Sequence, residues 1–143
     1  MIMALLAAGC SSRGTLRVSD LDRPLLELQQ VAAHSLPLGL KSTSANGREF
    51  FSRYFVANLK ERKFKPAENS PERRFAQILV LGDRRPYTVQ IVVHVERRDT
   101  DRAGGYSEVG TDVTAAEVIR RRFSQKLSER REDLNIIDDF RVF

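Results

Sequence analysis

Chemistry in this chain would have to come from a short list of side chains. Cys10 is the single cysteine among 143 residues, so no intramolecular disulfide and no thiol-rich metal site can be built from it. His94 has no cysteine and no second histidine close by in sequence. A lone imidazole of this kind reads as a polar side chain on the wetter face of a strand rather than as a metal ligand or general base. Asp138 and Asp139 are adjacent, and neighbours on an extended strand point to opposite faces. That disfavours a carboxylate pair acting on one bond and, beside Arg141, suits a salt-linked docking arm. The chain contains no nucleophile elbow, HExxH, P-loop or GxGxxG. The pattern predicts a non-catalytic protein with no cofactor and no metal.

The basic residues are the other chemical resource. Lys and Arg total 24 against 19 acidic residues, a net charge of +5. A guanidinium forks onto carboxylates and phosphates in a planar, bidentate way. Arg62, Lys63, Lys65, Arg73 and Arg74 in one segment, with Arg84 and Arg85 in another, are the candidate residues for binding an anionic ligand. The triplet Arg120-Arg121-Arg122 on a helical pattern suggests nucleic acid or acidic lipid, but with Lys126, Arg130 and Arg131 it reads rather as a solvated face, with Glu117 four residues before Arg121 for a modest pair.

The position of Cys10 says where these charges would act. It ends the run Leu5-Leu6-Ala7-Ala8-Gly9-Cys10, preceded by no Lys or Arg and followed by Ser11-Ser12. An apolar stretch closing on small residues is what a signal peptidase reads, and the cysteine after it accepts a diacylglycerol thioether. This run resembles the lipobox of bacterial lipoproteins. The resemblance implies a signal peptide over residues 1–9, lipid attachment at Cys10, and Ser11 leaning toward outer-membrane sorting with the protein facing the periplasm. The competing reading packs residues 2–9 as an ordinary apolar segment with Cys10 as a small buried hydrophobe. No stretch approaches the roughly 18 apolar residues of a spanning helix, so the lipid would be the membrane anchor. In that location an anionic partner is phospholipid or phosphorylated glycolipid before it is nucleic acid, and no nucleic-acid partner is expected.

The positioning elements follow from periodicity. At 41% hydrophobic and 30% charged, the chain has the composition of a folded domain. Residues 10–22 read as a tether and 23–143 as a single domain. Leu25, Leu28, Val31 and Ala32 recur at helical spacing after Pro24, and Leu36 to Thr43 suits a strand. Asn46 with Glu49 resembles a capping box, and Phe50, Phe51, Tyr54, Phe55 and Leu59 share a face, which predicts a helix from about Gly47 to Arg62. Lys63 to Arg74 is broken by Pro66, Asn69 and Pro71 and reads as a loop. Phe75–Leu81 and Pro86–Glu96 form a hairpin whose core face carries Tyr87, Val89, Ile91, Val93 and Val95. Tyr106–Gly110 makes a third short strand. Thr114 with Glu117 caps a second helix whose core stripe is Ala116, Ile119, Phe123 and Leu127. Leu134–Phe143 is apolar enough to dock as an edge strand or arm. The predicted class is α+β, a two-layer sandwich of an antiparallel-rich sheet of about 3–4 strands with two main helices on one face.

This element order over residues 36–130 is similar to that of lipopolysaccharide-assembly lipoproteins of the LptE type. The resemblance implies a non-enzymatic periplasmic module docking on an outer-membrane barrel or secretion component, with Arg84 and Arg85 at the hairpin tip as phosphate contacts. The arm ending at Phe143 and the Arg-rich second helix have no counterpart in that pattern. Two functions stay open: an adaptor binding an envelope protein through a strand edge or the docked tail, and a module binding anionic lipid or lipopolysaccharide through the Arg/Lys patch.

Overall fold

The computed structural model describes residues 14–58, 60–61, 63–101 and 103–140, with side chains up to residue 130. The expected signal peptide over residues 1–9, Cys10, Arg62 and Arg141–Phe143 lie outside the described residues. The elements in chain order are β1 (Thr15–Leu21), α1 (Leu25–Ser35), β2 (Leu40–Thr43), β3 (Glu49–Ser52), β4 (Phe55–Asn58), β5 (Lys63–Pro66), β6 (Glu72–Leu81), β7 (Tyr87–Arg98), β8 (Tyr106–Thr111) and α2 (Val113–Phe140). Among the described residues the strands form one eight-stranded sheet, antiparallel at every pairing.

The predicted hairpin is the spine of this sheet. β6 and β7 pair without interruption from Glu72↔Arg97 to Leu81↔Thr88. A strand alternates its side chains, so Ala76, Ile78 and Val80 share a face with Val89, Ile91, Val93 and Val95, and all are buried. Leu28 and Val31 of α1 and Ala116, Ile119 and Phe123 of α2 join the same core cluster, as the helical spacing predicts. Arg73, Phe75, Gln77, Gln90, His94 and Glu96 occupy the opposite face, and none is fully buried.

Each edge of the spine is covered by two short strands placed end to end. Along β7, β1 pairs with residues 87–92 and β8 with residues 94–98. Both run antiparallel to β7, so the end of β8 meets the start of β1. Gly14 makes that junction: its φ is +92°, and a Cβ there would lie 1.9 Å from Thr111 Oγ1. Only glycine fits both the backbone and the space. Along β6, β3 pairs with residues 77–79 and β4 with Arg74.

Several expectations are corrected. The helix predicted over Gly47–Arg62 is the pair of strands β3 and β4. Asn46-Gly47 does not cap a helix; it turns the β2–β3 hairpin. Gly47 has φ +68°, Asn46 Oδ1 accepts from the Arg48 amide at 3.1 Å, and Ser44 Oγ accepts from the Glu49 amide at 3.0 Å. The sheet therefore has eight strands, not three or four. The tether segment carries β1, because Leu16 and Val18 alternate onto the core and pair with Ile91 and Val89. The loop read over Lys63–Arg74 contains β5 and the start of β6, since the turn residues 67–71 occupy only its middle. The Leu36–Thr43 strand starts only at Leu40, because Leu38 (φ +58°) and Gly39 (φ +92°) turn the chain after α1. Leu134–Phe140 continues α2 rather than forming an edge strand. The cap of α2 is Asp112, not Thr114: Asp112 Oδ1 accepts from the Ala115 amide at 3.0 Å.

Candidate functional site

The residues nominated for anion binding do not converge. Lys63 and Lys65 are exposed on β5, opposite Asn58 and Val56 of β4. Arg73 and Arg74 are consecutive on β6, so they point to opposite faces. Arg73 Nε lies 3.0 Å from Glu96 Oε1. Arg74 Nε lies 2.8 Å from Asp112 Oδ2, with Glu72 at 3.2 Å. Arg84 and Arg85 are exposed on the β6–β7 turn, Arg85 3.9 Å from Asp22. The ten residues of β6 separate the two groups, a span of roughly 30 Å. Four of the seven candidates thus cluster near one end of the spine, two sit at the other, and Arg62 is outside the described residues.

What the fold does bring together is a row of cations and rings across the sheet face opposite the buried core. The Arg73 guanidinium is clamped between Tyr54 and Tyr106, 3.7 and 3.6 Å from their ring centres. Lys41 Nζ lies 4.4 Å from Tyr54, and the Arg98 guanidinium 5.8 Å from Tyr106. Such contacts are electrostatic attractions to the ring quadrupole and strengthen where water is excluded. The row is anchored at its Tyr106 end, where the phenol donates to Ser70 O at 2.8 Å and Arg98 Nη2 donates to Asn69 O at 2.6 Å. Beside it, Tyr54 meets Phe75 edge-on at 5.8 Å, and Phe75 stacks on His94 at 4.7 Å. A depression of about 240 Å³ opens between them, lined by Lys41, Ser42, Phe51, Ser52, Tyr54 and Phe75.

His94 points to the face opposite the core, where the alternation of β7 puts it. Its Nδ1 is 2.7 Å from Glu108 Oε1 on β8 and its Nε2 2.8 Å from Gln77 Oε1 on β6. Both ring nitrogens are engaged, so the side chain ties three strands together. No group of three or more His, Cys, Asp or Glu among the described residues is placed to hold a metal ion. No helix among them is long and apolar enough to cross a membrane.

The triplet Arg120, Arg121 and Arg122 of α2 divides into two sets. Arg120 Nε donates to Glu117 Oε2 at 2.8 Å and Arg121 Nε to Glu117 Oε1 at 3.3 Å. Arg120 first, then Arg121, hold the Glu117 carboxyl down at about 2, and the Arg120 guanidinium is pushed up in turn. Arg122 instead rests on the Phe64 ring at 4.8 Å.

Sequence reasoning missed Lys41, Tyr54, Tyr106 and Arg98 because their adjacency depends on strand order. The Asn46-Gly47 dipeptide was the one local signal: read as a hairpin turn, it places β3 in the sheet and Tyr54 close to Phe75. Comparison with protein-family models, with curated proteins and with solved structures finds no match to this chain.

Proposed function

We propose that this protein is an exported, lipid-anchored accessory lipoprotein of the bacterial cell envelope, a non-catalytic adaptor that docks on an envelope assembly or outer-membrane protein complex. The observation that carries the reading is the position of Gly14. Three residues separate it from Cys10, a reach of about 14 Å at full extension. A lipid on Cys10 would hold the β1–β8 junction against the bilayer. The opposite edge of the sheet, made by β2 and β5, would then face away from it.

That outer edge has the properties of a docking strand. All four residues of β2 are exposed, and β2 pairs only with β3 among the described residues. An extended segment of a partner can add to such an edge, with main-chain hydrogen bonds for affinity and side-chain contacts for selection. Lys41 on β2, beside the aromatic depression, selects a segment carrying an acidic residue next to an apolar one. We read the architecture as two layers, α1 and α2 over one sheet face and the aromatic row on the other. The second function, anionic lipid or lipopolysaccharide binding through the seven-residue patch, would need Arg84 and Arg85 close to Arg73, and their separation favours docking.

The test places a photo-crosslinking residue at Ser42 on β2 and, separately, at Val109 on β8, in cells expressing the full chain. One envelope protein captured from Ser42, surviving high salt and absent from Val109, supports the reading. Capture from Val109 in place of Ser42 overturns the assigned edge. A Cys10→Ser protein that stays in the membrane fraction overturns the anchor.

A further inference from the structure

We propose that the groove between α1 and α2 is a binding site for a phosphate-bearing anion. The groove comprises two adjoining cavities of about 290 and 240 Å³, and His34, Lys126 and Glu129 line both. Arg122 lines the first and Arg130 the second. On α2, Arg122, Lys126 and Arg130 follow at four-residue steps and so stand in one row. Like charges at this spacing weaken a helix, so the row has no rationale in the stability of α2 itself.

Arg122, Lys126 and Arg130 make no ion pair among the described side chains, a property they share with Arg48 and Arg98. Arg73, Arg74, Arg85, Arg97, Arg120 and Arg121 each face a carboxylate. In the groove the partners are neutral: the Arg122 guanidinium is held over the Phe64 ring at 4.8 Å, and Arg130 Nη1 donates to Gln30 Oε1 at 2.6 Å. Those contacts fix two guanidinium groups while leaving their charge and further donors uncommitted. Half-buried Lys126 makes no hydrogen bond or ion pair among the described residues. Among the described side chains Glu129 is the one carboxylate lining the groove, and it accepts from Gln125 Nε2 at 3.3 Å. His34 Nδ1 lies 2.7 Å from the Gln30 carbonyl, which makes Nδ1 the donor and leaves Nε2 without a partner among the described residues.

Each cavity has one guanidinium fork beside the shared Lys126 ammonium and His34 imidazole, a set that matches the oxygens of a phosphate monoester or diester. Arginine engages them bidentately and lysine as a point charge. The site differs from the patch read in the sequence and is independent of the docking edge. The phosphate could belong to a lipid headgroup or to a small soluble ester, and the two sources are separable by experiment.

The test uses the full chain carrying Cys10→Ser, so that no acyl chain recruits it to membranes. Two probes are titrated while the His34 ring and Lys126 side-chain resonances are followed: inorganic phosphate, and phosphatidylglycerol vesicles against phosphatidylcholine vesicles. A saturable shift with inorganic phosphate is expected. Arg122→Gln/Lys126→Gln should weaken it at least tenfold, Arg84→Gln/Arg85→Gln should leave it unchanged, and raised salt should reverse it. A response to phosphatidylglycerol vesicles, absent with phosphatidylcholine, assigns the headgroup as the source, and its absence assigns a soluble ester. Circular dichroism checks that the variants fold, since the altered side chains lie at the surface of the groove. The proposal is overturned if neither probe gives a saturable shift, or if the Arg84/Arg85 variant weakens binding as much as the groove variant.

Discussion

Ser52 Oγ accepts the amide hydrogen of Ala76 at 2.8 Å and donates to the carbonyl of Arg53 at 2.8 Å. The bond fills a gap in the sheet. β6 pairs with β3 at Gln77 and with β4 at Arg74, and at Ala76, between them, the neighbouring chain bends away. Both residues are essentially inaccessible to water, so a missing partner would leave an amide buried and unsatisfied. Ser52→Ala should therefore destabilise the domain by about 1–3 kcal/mol. Substituting the exposed Ser107 in the same way should stay within about 0.5 kcal/mol. Urea unfolding of the two variants distinguishes them, and equal midpoints would show that the gap is filled in some other way.

The same bend explains why the second quarter of the chain misleads a reader of the sequence. Phe50, Phe51, Tyr54 and Phe55 satisfy helical spacing. They also satisfy two strands interrupted by Arg53 and Tyr54, because the break shifts the alternation and puts both Phe50 and Phe55 in the core. Where a strand runs long, as β7 does over twelve residues, alternation is unambiguous and legible in the sequence. The stripe of α2 is equally local and equally clear. The row of Lys41, Tyr54, Arg73 and Tyr106 has no local signature: its members come from distant parts of the chain, and only the pairing of β6 with β3, β4 and β7 makes them neighbours. Charge density alone misled as well, since Arg73 and Arg74 look like one patch in sequence and point to opposite faces.

Gly14 predicts a sharp response to a single methyl group. A Cβ there would lie 1.9 Å from Thr111 Oγ1 and 2.7 Å from its Cβ, and the second atom sits too near the backbone to move aside cheaply. The φ of +92° adds strain for any other residue. Gly14→Ala should cost about 1–3 kcal/mol and should do so locally, by detaching β1. Hydrogen exchange should rise at the amides of Leu16 and Val18 before it rises in β6 and β7. Uniform loss of protection would mean that β1 and the spine unfold as one unit.

Glu117 sets an acid limit on α2. Its carboxyl titrates near 2 in the folded chain because Arg120, then Arg121, stabilise the charged form, against an ordinary value of 4.5. A depressed folded pKa means that the unfolded chain binds the proton first, so the contribution is present above about 4.5 and is lost as pH falls toward 2. Below that both states are protonated and nothing remains of it. Glu117→Gln should flatten the stability profile across this window while leaving the arms of the profile above it parallel. Side-chain NMR titration reads the midpoint directly, and a value near 4.5 would show that the Arg120 contact does not persist in solution.

Asp112 connects sheet and helix through four bonds, and conservative substitution can separate them. Its amide donates to Val93 O at 2.9 Å and its carbonyl accepts from the Ala116 amide at 3.1 Å. Its carboxylate caps α2 through Oδ1 and holds Arg74 through Oδ2. Asp112→Asn keeps an oxygen for the Ala115 amide but turns a donor toward Arg74, so it retains the cap and loses the ion pair. Asp112→Ala loses both, and the cap alone is worth about 1 kcal/mol. The expected order of stability in urea is native, then Asn, then Ala, with the Asn-to-Ala step near that figure. Arg74 would be left with Glu72 at 3.2 Å, on a side chain largely shielded from water. The native-to-Asn step should therefore exceed what an exposed ion pair contributes, up to about 1 kcal/mol. An Asn variant as stable as the native chain would assign the whole role of Asp112 to starting the helix.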